Sequence, residues 1–386
     1  MKLDLRGIPL RDATGLKQVT GNEPLHNSMD IPSYCLFDGL HWNSKRGLGR
    51  YAVQLSKHVQ RMSWTNKLND IPLWSSSVGR VLLHEVVEPF SREVLTPDIA
   101  LYPHNVMPIF FMSHRSLRLL VVHDVIFLQD GEKGLGNLYR RLKLKQSVDR
   151  ADIIFTVSDA SRIEIEKLLV RDTTIRVVPN ALAAHFEKIP ENVRSVRTHP
   201  PRILHFGGHA QTKNTLALLQ AVAMLNQYDY NIHLHLAAMS DKSELVKSWC
   251  QQSRLDSKSV TILPPMSDEE LHHEYAQADL HCMPSTGEGF GIPVIEAARC
   301  GTPNVLSPLS VFRELLGEDA IYAESLNAHA IARAIQQGLA TDLREMVSRA
   351  RQRSESFLFD SVHRQYAAPA LSAVERMAAS HRKQQR

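Results

Sequence analysis

The chain has 386 residues, 43% apolar and 22% charged side chains, and a formal net charge of +4. That length suits two globular domains, and a mild positive balance with no basic stripe or binding motif excludes a dedicated nucleic-acid binder. No apolar run approaches the ~18 residues that span a membrane, and the opening MKLDLRGIPLRD lacks a signal-peptide core. A cytoplasmic protein, at most peripheral on the inner face of the cell membrane, is therefore expected.

Residues 1–30 are polar, rich in turn formers and without clear periodicity, and read as an N-terminal extension. Residues 34–38 (YCLFD) predict the first strand, followed by the glycine-rich KRGLGR at 45–50 and a helix from Tyr51 to about Met62. Strand, glycine turn and helix open an α/β unit. Further continuously apolar runs at 118–122, 153–157 and 174–178 suit a parallel sheet buried on both faces. Ser158 stands where a helix to about Val170 needs its N-cap. The stretch 189–202 (IPENVRSVRTHPPR) is polar and proline-rich and reads as an interdomain linker.

A second α/β set starts at 203–206 (ILHF), then Gly207-Gly208 and a helix from Asn214 to about Asn226. The apolar positions Leu216, Leu219, Val222 and Leu225 recur at helical spacing. Strands are expected at 231–236, 260–263 and 280–283. A helix over 267–276 is predicted by Ser267 with Glu270 at the capping-box position. From about Phe359 the chain reads as helix. The predicted domains are 31–190 and 191–360, with 361–386 a C-terminal helix.

Four constellations carry candidate chemistry. In 284–303 (PSTGEGFGIPVIEAARCGTP), glycines flank Glu288, Pro293 suits a helix start, and Gly301 with Pro303 suits its end. A helix N-terminus attracts anions, and carboxylates at Glu288 and Glu296 accept hydrogen bonds from vicinal sugar hydroxyls. The bland alternative is a strand–turn–helix connection with two surface glutamates. Gly207-Gly208 to Lys213-Asn214 places a lysine just ahead of a helix, where it holds a diphosphate or is simply solvated. Gly47-Leu48-Gly49-Arg50 is a short G-x-G, a weak phosphate-loop signal by itself. His123-Asp124 ends a strand, the side on which open α/β sheets bind ligands; the alternative is a structural histidine. The 19 histidines form no convincing metal set. The cysteines, Cys35, Cys250, Cys282 and Cys300, have no C-x-x-C spacing and read as reduced thiols.

Together, GEGFGIPVIEAARCGTP, TVSDASRIEI, VVPNAL, the Gly-Gly…Lys-Asn turn and GLGRYA resemble the retaining glycosyltransferases of family 4, from about Tyr34 to about Arg364. The resemblance implies an α/β GT-B fold: two Rossmann-like α/β/α domains facing across a cleft, with the C-terminal helix packing back on the N-terminal domain. It places Glu288 near the donor sugar and Glu296 at the nucleotide ribose. Backbone N–H groups around Gly289, Phe290 and Gly291 meet sugar and phosphate. Lys213 and the turn at Gly208 hold the diphosphate, Gly47 and Gly49 cover it, and His123 lies near the reacting centre. The catalytic set is thus His123, Glu288 and Lys213, with no metal or other cofactor.

The His-Asp dipeptide and GRYA look most like mannosyltransferases of polysaccharide or O-antigen assembly. The implied reaction moves a hexose, first mannose from GDP-mannose, to a glycan or lipid-linked oligosaccharide. The departures are the absence of an arginine before Lys213 and of a proline after the His-Asp strand. A sugar-nucleotide epimerase or hydrolase on the same fold, or a non-catalytic scaffold, are the competing readings. The basic segment with Arg140, Arg141, Lys143, Lys145 and Arg150 is a candidate lipid-facing helix or a solvated face.

Overall fold

A computed structural model describes residues 32–36, 47–66, 97–107, 116–128, 135–188, 200–207, 211–239 and 242–384. The chain forms two compact units, one of Met1–Val157, Ser161–Val178 and His363–Arg386, the other of Ser158–Ala160 and Pro179–Val362. The change of unit at Val178/Pro179 precedes the polar stretch expected to link the domains. Residues 189–199 of that stretch, the extension 1–30 and Gly208 lie outside the described residues.

In the first unit, β1 (Ser33–Leu36), β2 (Thr65–Asn66), β3 (Ile99–Tyr102), β4 (Leu117–Val122), β5 (Ile153–Thr156) and β6 (Thr174–Val177) form one sheet in the order β2-β1-β3-β4-β5-β6. Every pairing is parallel, with Leu120 opposite Ile154. All four residues of both β3 and β5 are buried. This is why their sequences run apolar without alternation: helices cover both faces. The helices are α1 (Gly47–Arg61), α2 (Leu135–Arg150) and α3 (Asp159–Glu166). Leu144 and Val148 of α2 and Ile165 of α3 join Tyr102, Leu120, Val122 and Ile154 in one core. Helix α1 begins at Gly47, so Gly47 and Gly49 form its first turn instead of a loop before Tyr51. A first turn tolerates glycine because its N–H groups have no intrahelical partner to lose.

The second unit repeats the plan. Its strands are β7 (Arg202–Phe206), β8 (His233–Ala237), β9 (Val260–Ile262), β10 (Leu280–Met283), β11 (Asn304–Leu306) and β12 (Ile321–Tyr322). They pair in parallel in the order β12-β11-β10-β7-β8-β9. From β9 inward the strands run third, second, first, then fourth, fifth and sixth. This is the doubly wound order, and the winding reverses between β7 and β10. The helices are α4 (Thr215–Asn226), α5 (Ser243–Ser253), α6 (Asp268–Gln277), α7 (Ile292–Cys300), α8 (Ser310–Leu316), α9 (Ala328–Ala340) and α10 (Arg344–Ser354). Helix α4 buries Leu218, Leu219, Val222 and Leu225; Leu218, not Leu216, completes its core face. Helix α6 carries the expected capping box: Ser267 Oγ accepts the Glu270 N–H, and the Glu270 carboxylate accepts the Ser267 N–H at 2.7 Å.

The chain ends with α11 (Phe359–Val362), a π-helical turn His363–Ala367 and α12 (Ala368–Gln384), so the expected terminal helix is interrupted. From His363 onward it belongs to the first unit. There Trp64 Nε1 donates to Glu375 at 2.5 Å, which ties α12 to the residue before β2.

Candidate functional site

The loops that follow β7 and β10 flank the point where the second sheet reverses its winding, the place where open α/β sheets hold ligands. The loop after β7 ends in a single 3-10 turn, Gln211–Lys213, and Asn214 then adopts a left-handed φ of 54° before α4 starts. The loop after β10 runs from Pro284 to Gly291, which takes φ 101° ahead of α7. Pro293 lies in the first turn of α7, and Gly301 closes it at φ 78°. Glycine is required at 291 twice over: L-residues avoid that φ, and a Cβ there would lie 2.8 Å from Phe312 Cε1.

The two loops are joined. Thr286 N–H donates to the Thr212 carbonyl at 2.7 Å. Lys213 Nζ donates to Glu288 Oε1 at 2.6 Å, and Ser285 Oγ donates to the same oxygen at 2.8 Å. Ser285 is fully buried, and its carbonyl accepts Ser307 Oγ at 2.6 Å. The Lys213 and Glu288 side chains are only 24% and 13% exposed, so neither is a freely solvated surface group. A cation and a carboxylate, 75 residues apart in sequence, thus meet at the carboxyl ends of adjacent strands.

Around them the site is buried and aromatic. Glu296, on α7, is 2% exposed and accepts the Tyr275 hydroxyl at 2.9 Å, which contradicts the plain reading of two surface glutamates. Tyr275 stacks on Phe206 at 5.5 Å and meets His281 edge-on. Phe290 packs against Phe357, so its side chain belongs to the core and only its backbone is available to a ligand. The Gly289 carbonyl accepts Ser158 Oγ at 2.7 Å, both residues lying in the second unit.

Beneath the loops are two buried histidines that sequence reasoning passed over. His205 Nδ1 lies 2.9 Å from the Cys282 carbonyl and Nε2 3.0 Å from Thr215 Oγ1. The neutral ring satisfies both contacts, donating from Nδ1 and accepting at Nε2. Burial pulls its pKa down to about 3. His281 Nδ1 donates to Asn304 Oδ1 at 2.7 Å, while Nε2 is buried without a partner. Burial lowers this pKa to about 4, with the nearby Lys213 charge acting in the same direction.

In the first unit, His123 follows β4 and is 6% exposed. Its Nε2 donates to the Pro103 carbonyl at 2.9 Å, its backbone N–H to Asn105 Oδ1 at 2.7 Å, and its ring meets Tyr51 edge-on at 4.8 Å. The ring is therefore held rigidly. The backbone of Gly47 and Gly49 forms the amino end of α1, where N–H groups are free of intrahelical partners. Among the described residues no three His, Cys, Asp or Glu side chains gather as a metal site, and no helix is long and apolar enough to cross a membrane.

Two doubly wound parallel-sheet units define a GT-B architecture, and comparison with solved structures agrees. The chain is similar to a sucrose-phosphate synthase from Thermosynechococcus elongatus (TM-score 0.73, 16% identity, 91% of this chain and 100% of the other). It is also similar to WaaG, a glycosyltransferase involved in lipopolysaccharide biosynthesis (TM-score 0.67, 15% identity, 87% and 98%). Residues 200–341 match the family described as Glycosyl transferases group 1. This chain is a glycosyltransferase with a group 1 domain in its second unit. In sequence it is 28% identical over 347 residues to the O-antigen chain mannosyltransferase B of Escherichia coli, across 79% of this chain and 90% of that protein. It is 29% identical over 219 residues to the O-antigen chain mannosyltransferase RfbU of Salmonella typhimurium, across 54% and 59%.

Proposed function

We propose that this enzyme transfers mannose from GDP-mannose, with retention of configuration, to a glycan or lipid-linked acceptor of a cell-surface polysaccharide. The observation that carries the reading is the Lys213–Glu288 pair, 2.6 Å apart at the switch point of the second sheet. The mannosyltransferase names of the two relatives above favour the sugar and the pathway class.

In this reading Lys213 and the amino end of α7 take up the charge that develops on the leaving diphosphate, which is the largest electrostatic demand of the reaction. That cation and the backbone dipoles make a bound metal unnecessary. Backbone N–H groups of Gly289, Phe290 and Gly291 meet the sugar phosphate. Glu288 accepts sugar hydroxyls. Glu296, held by Tyr275, meets the ribose. From the family resemblance, Gly47, Gly49 and Gly208 are also assigned to the diphosphate. The acceptor hydroxyl oxygen bonds to the anomeric carbon as the bond to the diphosphate breaks. The nucleoside diphosphate leaves with the bonding electrons and takes the acceptor's proton on a phosphate oxygen. His123, fixed by Pro103, orients the reacting centre.

For the acceptor's location, α2 exposes Leu138 and Leu142 at 53% and 52%, one turn apart, with Tyr139, Arg140 and Lys145 also exposed. Lys143 of the basic segment is buried and Arg141 donates to the Leu128 carbonyl, so the lipid-facing reading rests on the exposed apolar side chains beside Arg140 and Lys145, which suit peripheral contact with anionic lipid.

A thermal-shift series with GDP, UDP and ADP and their hexose conjugates tests the donor assignment, since a ligand that binds only the folded state raises the melting temperature. GDP and GDP-mannose are expected to give the largest shifts in the wild type and none in Lys213→Ala. Equal shifts in both proteins, or none with any nucleotide, would overturn the reading. Glu288→Gln is expected to keep the GDP shift and lower kcat by roughly a hundredfold or more.

A further inference from the structure

Glu288 Oε1 accepts two donors at once, Lys213 Nζ at 2.6 Å and Ser285 Oγ at 2.8 Å. These donors cannot have equal permanence. A nucleoside diphosphate carries far more charge than one carboxylate, so it draws the flexible lysine stem toward itself. Ser285 has no such freedom. It is fully buried, its carbonyl is held by Ser307 Oγ at 2.6 Å, and the next residue is tied through Thr286 N–H to the Thr212 carbonyl at 2.7 Å. Ser307 itself is 1% exposed, just after β11. The serine hydroxyl is thus fixed to the sheet through two neighbouring loops, and the lysine is not.

We infer that Ser285 is a positioning residue that keeps the Glu288 carboxylate aimed at the donor sugar when Lys213 leaves it for the diphosphate. The ligand-free pair is then a self-neutralised resting state that prevents two charges from standing unpaired in a site mostly shielded from water. Donor binding exchanges Lys213 from carboxylate to phosphate, while Ser285 prevents Glu288 from relaxing into another rotamer. This inference rests on the donor-site reading above.

The test measures donor KM, kcat and GDP affinity in Ser285→Ala, Ser285→Cys and Ser285→Thr, with Lys213→Ala alongside. Loss of a hydrogen bond to a charged group predicts roughly a tenfold to hundredfold fall in kcat for Ser285→Ala and Ser285→Cys. GDP affinity and melting temperature should stay within about twofold and about 2 °C of wild type. Ser285→Thr, which keeps the hydroxyl, is expected to recover most of kcat. Cysteine nearly preserves serine's volume but donates weakly, so it reports on the hydrogen bond even if alanine perturbs folding. Wild-type kcat in Ser285→Ala or Ser285→Cys overturns the inference, as does a threonine variant that folds normally yet remains as slow as alanine. If Lys213→Ala retains GDP binding, the donor-site reading itself has failed, a result separate from the serine's.

Discussion

At position 291 a single hydrogen atom decides whether the loop after β10 can exist. Gly291 holds φ at 101°, and any Cβ would approach Phe312, itself fully buried, to 2.8 Å. Strained backbone costs about 1–3 kcal/mol, and overpacking against a rigid ring about as much again. Gly291→Ala is expected to destabilise the protein by about 2–5 kcal/mol in urea unfolding. Gly136, where a Cβ meets nothing within 4 Å, provides the control: Gly136→Ala should be neutral or slightly stabilising. Equal midpoints for the two variants would contradict this account. The need for glycine here was legible in sequence, because the loop's glycines and Pro293 announce a backbone-led approach to a helix start. That Lys213 and Glu288 serve one site was implied by the family resemblance; their direct hydrogen bond was not, because 75 residues separate them and only strand order brings β7 beside β10. Ser285 left a signal that went unused. Its S-x-x-E spacing to Glu288 is that of a capping box, here serving a loop carboxylate instead of a helix end.

Helices with local caps and strands as apolar runs were both readable, whereas the order in which the strands pair was not. Helix α6 follows from Ser267 and Glu270, and the reciprocal bonds are present in full. Helix α7 follows from Pro293 and Gly301. Removing Ser267's hydroxyl leaves the Glu270 N–H without its acceptor and Glu270 without its lock, so Ser267→Ala should cost about 1 kcal/mol, read from the unfolding midpoint. A change below a few tenths of that would show that solvent replaces the cap. The strand sequences, by contrast, are continuously apolar and carry no register, so nothing in them places β10 next to β7 or reverses the winding there. Helix α1 starts at Gly47, whereas propensity argued for a loop through both glycines.

Across the whole molecule, each unit encloses histidine that is neutral in the folded protein. In the first, His58 is 2% exposed with Nδ1 3.1 Å from Nδ1 of His363, a geometry that requires one nitrogen without a proton. Burial, reinforced by His363, lowers its pKa to about 3. In the second, His205 sits at about 3 and His281 at about 4, both through burial. The unfolded chain protonates these rings near pH 6.5 while the folded chain resists, so the unfolded state binds more protons below that pH. Stability from these groups is therefore whole above about pH 6.5. Each ring removes about 1.4 kcal/mol for every unit the pH falls below that, until the folded pKa is reached. By pH 5 the His205 and His281 pair removes roughly 4 kcal/mol, a large part of the 5–15 kcal/mol that ordinarily holds a domain together. Melting temperature should thus drop steeply between pH 7 and pH 5, well above the range where carboxylates titrate. His281→Gln, which keeps a donor for Asn304 but has no proton to gain, should flatten the profile even if it starts lower. A melting temperature constant from pH 7 to pH 5 would mean that the buried rings take up protons without penalty, and the neutral hydrogen-bond assignments at His205 and His281 would then be wrong.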